Sequence, residues 1–135
     1  MSEENVERFK RGIEAYNRQD ADALIELMDA EVEWYPAILV GLGGQAAVFR
    51  GHDGIRELLR EIDQTLAEIH VEVSEIRDLG DRIFATGLLR TRGKTSGVET
   101  ESPFGYIAHF KNGKATEIRT YLDPKEALEA AGLSE

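Results

Sequence analysis

Sorted by alternation, the residues from Gly97 to Phe110 fall into two sets. One holds Thr100, Ser102, Phe104, Tyr106, Ala108 and Phe110, and the other Glu99, Glu101, Pro103, Gly105, Ile107 and His109. A period of two belongs to a strand whose faces meet different surroundings, and this one is long enough to cross a sheet. Asp81 to Arg92 predicts a second strand and Lys114 to Leu122 a third, joined by Lys111-Asn112-Gly113-Lys114. Asn-Gly between alternating runs is a hairpin signal, because both central residues of a type I′ turn need positive φ. Val71, Val73 and Ile76 open the meander, with turns at Leu79-Gly80-Asp81 and between Arg92 and Gly97.

The period changes upstream. Val6, Phe9, Ile13 and Tyr16 recur at helical spacing behind a candidate cap at Ser2, with Glu3 and Glu4 in the favourable first turn. Asn17 to Asp20 breaks the pattern, and Asp20 is placed to cap a second helix that buries Leu24, Leu27 and Met28. Glu31 to Tyr35 reads as a short edge strand stopped by Pro36. Pro36 to Arg50, with Gly41, Gly43 and Gly44, reads as a flap; its glycines do not open a helix, which argues against a phosphate loop. The longest helix is predicted from Gly51, capped by Asp53, with Ile55, Leu58, Leu59, Ile62, Leu66 and Ile69 as its buried stripe. At the end Asp123-Pro124-Lys125-Glu126 combines a cap, a proline at the first helical position and a glutamate at the third, for a short helix ended by Gly132.

Helices first and a meander afterwards predict one α+β domain over residues 1–135, the helices on one face of the sheet. Composition narrows the partners. With 26 acidic against 16 basic side chains the net charge is −10, a field that repels phosphate backbones and anionic lipid. No nucleic acid and no membrane partner is expected. Without cysteine there is no disulfide or thiolate chemistry, and the three histidines lack metal-ligand spacing, so no metal and no cofactor is expected. The longest apolar run, Ala37 to Val40, is far too short to span a bilayer. A cytoplasmic protein is the expectation.

The uncharged strand faces belong together against the helices: Ile83, Ala85, Gly87 and Leu89, then the Thr100 to Phe110 set, then Ile118, Thr120 and Leu122. Small residues among large ones on a bent sheet predict a hollow rather than a filled core. Its expected ligand contacts are the aromatic Tyr16, Trp34, Phe49, Phe104 and Tyr106, with Ile118 and the hydroxyls of Thr100, Ser102 and Thr120. The opposite face mixes apolar and charged groups, and a homodimer through Phe84, Leu88, Ile107, His109, Arg119 and Tyr121 is expected there. Pro103 cannot donate to a ladder; a bulge beside it would turn Glu99 and Glu101 inward.

The order of elements resembles the SnoaL-like branch of the nuclear transport factor two-like superfamily. The residues that carry the likeness are Tyr16-Asn17-Arg18-Gln19-Asp20, Glu31-Val32-Glu33-Trp34, Phe49 to Arg56, Asn112-Gly113-Lys114 and Arg119 to Asp123. The resemblance implies a cone-shaped barrel of a strongly bent antiparallel sheet, packed against N-terminal helices and one long helix and enclosing a deep apolar pocket, commonly in a dimer. It does not transmit a reaction. The ketosteroid isomerase pattern of base, phenol and acid falls at Tyr35, Gly12 and Tyr106, of which only Tyr106 can donate to an oxyanion. The limonene epoxide hydrolase triad falls near Gly87, Leu89 and Thr120, where it is absent, and the acid of the polyketide cyclases falls at Asp123, which the capping signature already explains.

Three functional readings follow. One is a protein that binds a small, mostly apolar molecule through Tyr106 and neighbouring hydroxyls. The second is a cofactor-independent isomerase, cyclase or dehydratase whose base is supplied by Glu101, Glu99 or Asp53. The third is a dimerising domain with a filled core.

Overall fold

The computed structural model describes residues 2–37 and 48–133. In chain order the elements are α1 (Ser2–Asn17), α2 (Ala21–Glu26), β1 (Met28–Tyr35), β2 (Phe49–Arg50), α3 (Gly51–Thr65), β3 (Leu66–Asp78), β4 (Arg82–Gly93), β5 (Glu99–Lys111), β6 (Lys114–Tyr121) and α4 (Pro124–Ala130). The six strands form one open sheet in the order β2-β1-β6-β5-β4-β3. It is mixed rather than purely antiparallel, because β1 runs parallel to β6. The glycine-rich stretch expected as a flap, Gly41 to Gly44, lies outside the described residues.

Local chemistry explains most boundaries. Asp20 accepts from the Ala23 N–H and Asp123 from the Lys125 N–H, each satisfying a donor that its helix leaves unpaired. The hairpin between β5 and β6 turns on Asn112 and Gly113, at φ 52° and 77°. The third helix departs from expectation at both ends. Its cap position is Arg50, which makes no side-chain capping bond, and Asp53 lies exposed within the first turn. It stops at Thr65, so Leu66 and Ile69 belong to β3 instead. Both still point inward although their parity differs, because the pairing of β3 with β4 shifts between Leu66 and Glu68. Met28, expected in α2, opens β1 and is buried there.

No bulge forms at Pro103. β4 and β5 stay in register from the Arg82–His109 pair to the Arg92–Glu99 pair, with Pro103 opposite Leu88. The extra residue is accommodated in the edge strand, where the register shifts between Val73 and Glu75. Gly87 faces this bulge, and a β-carbon built there would collide with the Glu72 carbonyl oxygen. Here glycine lets the bulged backbone close on its partner.

The face assignment of the central strands holds. Ile83, Ala85, Leu89, Phe104, Tyr106, Ala108 and Ile118 join Phe9, Tyr16, Leu24 and the α3 stripe in one core. The other side of the sheet carries a second, smaller cluster, in which Ala127 and Ala131 at the C-terminus cover Phe84 and Ile107. Phe84 is 0% and Ile107 3% exposed. These two members of the expected dimer face are therefore buried within the chain, because the final helix docks on them. Arg82 fastens it by donating to the Ala131 carbonyl at 2.7 Å. Among the described residues no helix is long and apolar enough to cross a membrane.

Candidate functional site

Between the helices and the concave sheet face, rings occupy most of the volume expected to be hollow. Tyr16 from α1 stacks on Trp34 from β1, with centroids 5.7 Å apart and planes 23° from parallel. On β5, Phe104 meets Tyr106 edge to face at 4.9 Å, and Phe9 meets Tyr106 at 6.0 Å from the helix side. Such contacts add to the burial that each ring already contributes. Ala85 and Ala108 thus give their space to aromatic side chains, and Gly87 gives its own to the bulge.

Among the described residues, two small voids lie here, of about 30 and 20 Å³. Tyr16, Trp34 and Tyr106 line both and form the wall between them. The larger runs between Phe9, Gly12, Leu24 and Phe110 towards Arg8, and its lining is almost wholly apolar. The smaller lies between Phe104, Leu89, Val71 and Thr120. An apolar cavity that holds benzene measures about 150 Å³, so neither void as it stands admits more than a few atoms.

The two phenols are the chemically distinctive feature. Tyr16 is 4% and Tyr106 5% exposed, and neither hydroxyl is hydrogen-bonded to a described residue. Burial pushes both phenols well above the ordinary range, and for Tyr106 the nearby Tyr16 adds to the effect. Both are neutral donors at physiological pH. Two buried phenol rings beside a void, with no hydrogen bond from either hydroxyl to a described residue, offer donors to an acceptor atom.

The other expected contacts divide. Phe104 and Thr120 line the smaller void and Ile118 the larger. Thr120 is committed to structure, however: its hydroxyl donates to the Tyr35 carbonyl at 3.1 Å and accepts the Ala37 N–H at 2.7 Å. Phe49 is a buried core residue that lines neither void. Thr100 and Ser102 line neither void; Thr100 is exposed in an open cleft of about 420 Å³ with Glu99 and Glu101 and shares a hydrogen bond with Thr91. The hydroxyl rim is therefore a pair of phenols.

No carboxylate reaches either void among the described residues. Glu99 and Asp53 are exposed, and Glu101 accepts from Arg90 at 2.8 Å on the outer face. Asp123 is the helix cap. The isomerase, cyclase or dehydratase reading thus has no base at the phenols from the positions that sequence suggested. Arg8 was not anticipated, and Gly12 entered only as the position of the isomerase's phenol. A glycine in the middle of a helix costs about 1 kcal/mol relative to alanine, and that anomaly beside Phe9 and Ile13 was the available signal.

The family model described as the SnoaL-like domain matches residues 9–118. Among solved structures, a protein of unknown function from Burkholderia pseudomallei with the nuclear transport factor two-like fold superposes with a TM-score of 0.79 at 23% identity, covering 93% of this chain and 95% of its own. TerC, co-crystallised with polyporic acid, gives 0.78 at 23% identity over 93% and 96%. A putative polyketide cyclase from Xanthomonas campestris gives 0.72 at 18% identity over 92% and 93%. At these identities the likeness is one of fold. No curated protein matches the sequence.

Proposed function

We propose, from the premise that the chain belongs to the SnoaL-like domain family, that it binds a small, mostly apolar molecule carrying one hydrogen-bond acceptor, held between the hydroxyls of Tyr16 and Tyr106. The observation that carries this reading is the pair of buried phenols without a described partner, at the wall between two voids. A ligand carbonyl or ether oxygen would satisfy them and offset their desolvation. Its apolar body would take the place of the ring wall, which must shift for the voids to merge. A structural relative, TerC, was co-crystallised with a small molecule, which supports the same use of the fold.

The smallness of the voids favours a second reading, a dimerising domain whose core needs no ligand. The two separate in one experiment. Trp34 is the chain's single tryptophan and lines both voids, so its fluorescence reports entry. A library of small ketones, phenols and ethers is titrated against the protein and against Tyr106→Phe. Binding that weakens about tenfold in the variant supports the first reading, a loss in the range of one well-made hydrogen bond. Affinity equal in both proteins, or no response to any compound, favours the second.

For assembly, we place a homodimer on the part of the outer sheet that α4 leaves open, with Leu88, His109 and Arg119 in the contact and Tyr121, which packs against the cluster under α4, at its border. Arg119 lies over the Tyr35 ring, 3.9 Å from its centroid, and donates to Glu117 at 3.0 Å. Arg50 and Tyr35 both donate to Glu33 and hold its carboxyl below the usual range. Both signs of charge on one patch suit a two-fold contact, where the same surface meets itself. Light scattering that finds only monomer at micromolar concentration would rule this dimer out.

A further inference from the structure

The larger void lies between the middle and later turns of α1 and the β5–β6 hairpin. Among the described residues Arg8 is the single charged one in its lining, with apolar neighbours such as Phe9, Leu27 and Phe110. The guanidinium rests on the hairpin: at Gly113, φ 77°, a β-carbon would collide with it. Glycine at that turn is thus both a conformational need and the seat of the cation.

Arg8 is not committed elsewhere among the described residues. Its ion pair, to Glu4 at 3.8 Å, is one helical turn away and its side chains are 36% and 61% exposed. A pair so exposed contributes between nothing and about 1 kcal/mol. Lys111 and Lys114 stand directly opposite each other across the same hairpin. Like charges in that position are unfavourable, and Lys114 is held there by donating to the Glu26 carbonyl. In a chain of net charge −10, Arg8 and the lysines next to Phe110 and Ala115 put three cations at this end of the void, with Glu4 and Glu7 of α1 beside Arg8.

We propose that this end of the void selects amphipathic anions. The carboxylate of a small aliphatic or aromatic acid is received by Arg8, while the apolar part enters between Phe9, Gly12, Leu24 and Phe110 once the wall of Tyr16, Trp34 and Tyr106 has shifted. The proposal rests on the interior being a ligand site and adds the chemical class of the ligand. The guanidinium fork suits a carboxylate, to which it can present two parallel donors.

Octanoate and octan-1-ol, equal in chain length and differing in charge, are titrated at neutral pH against Trp34 fluorescence in the wild-type protein, Arg8→Gln and Arg8→Lys. Arg8 is half-buried between its helix and the hairpin, and circular dichroism verifies that both variants are folded. The expected result is octanoate bound at least about fivefold more tightly than the alcohol. Arg8→Gln abolishes that preference, and Arg8→Lys retains most of it. Equal binding of the two probes, or a preference that survives Arg8→Gln, overturns the assignment of the anion and leaves the ligand site standing. Absence of binding by both probes in all three proteins overturns both.

Discussion

Asn17 and Val71 form a two-way pair: the Asn17 amide donates to the Val71 carbonyl at 2.9 Å and accepts the Val71 N–H at 2.8 Å. The last residue of α1 thus acts as a short stretch of partner strand for β3, the free edge of the sheet. It also sets the depth at which Tyr16, one residue earlier, enters the core. Asn17→Ala leaves both backbone groups of Val71 unpaired in a half-buried place and is expected to cost about 2 kcal/mol. Urea unfolding checks this. Asn17→Asp keeps the acceptor and loses the donor, so its loss should be smaller at high pH than the alanine's only if the Val71 N–H is the dominant partner.

Thr120 gives a second stability prediction. Its hydroxyl joins β6 to the end of β1 and the residue after Pro36. Thr120→Val keeps the shape and removes both bonds, at a cost of about 1–3 kcal/mol, whereas Thr120→Ser keeps them. The measurement is the denaturant midpoint of each variant. A ligand contact alone would leave the midpoint of the valine variant unchanged.

How much of this was legible beforehand follows from where the information lay. The long strands, the Asn112-Gly113 turn and the caps at Asp20 and Asp123 depend on residues next to each other in sequence, so their patterns were readable. Leu66 and Ile69 were misassigned because an apolar i, i+3 spacing fits a helix as well as a strand containing a bulge. The bulges answer to Gly87 and the edge strand rather than to Pro103, a relation between strands that no single segment reveals. The size of the pocket was hidden in a similar way. Small residues on the sheet announced space, but whether rings from α1 and β1 fill it is decided by packing between elements distant in the chain. Tyr16, Trp34 and Tyr106 were foreseen as neighbours of a pocket; that they would form its dividing wall was not.

Gly12 offers a prediction of opposite signs. A β-carbon there meets the Leu24 and Leu27 methyls at 3.9 Å, an ordinary contact. Gly12→Ala should therefore stabilise α1 by roughly 0.5–1 kcal/mol. Because Gly12 lines the larger void, the same change should weaken any ligand that enters there. Thermal unfolding and Trp34 titration on one protein sample test both halves.

Alkaline pH reports the phenols. The folded state holds Tyr16 and Tyr106 above the pKa of about 10 expected in the unfolded chain. Above that pH the unfolded state carries fewer protons than the native one, so their contribution is complete below about pH 10 and is lost as pH rises through the raised native values. Each phenol should add a slope of about 1.4 kcal/mol per pH unit over that window. Tyr16→Phe should flatten the decline, as measured by urea unfolding from neutral to alkaline pH. An identical slope in the variant would contradict the burial of that hydroxyl in a protonated state.

The most direct test is the unfolding free energy of the ligand-free Tyr16→Phe/Tyr106→Phe protein. Hydroxyls that wait for a ligand contribute nothing to the empty fold, so the double variant should be as stable as the wild type, or more stable by about 1 kcal/mol for each desolvated group removed. A loss of about 1 kcal/mol or more per hydroxyl would mean that both already have partners inside the protein, and the phenol pair would then be a structural element rather than a binding site.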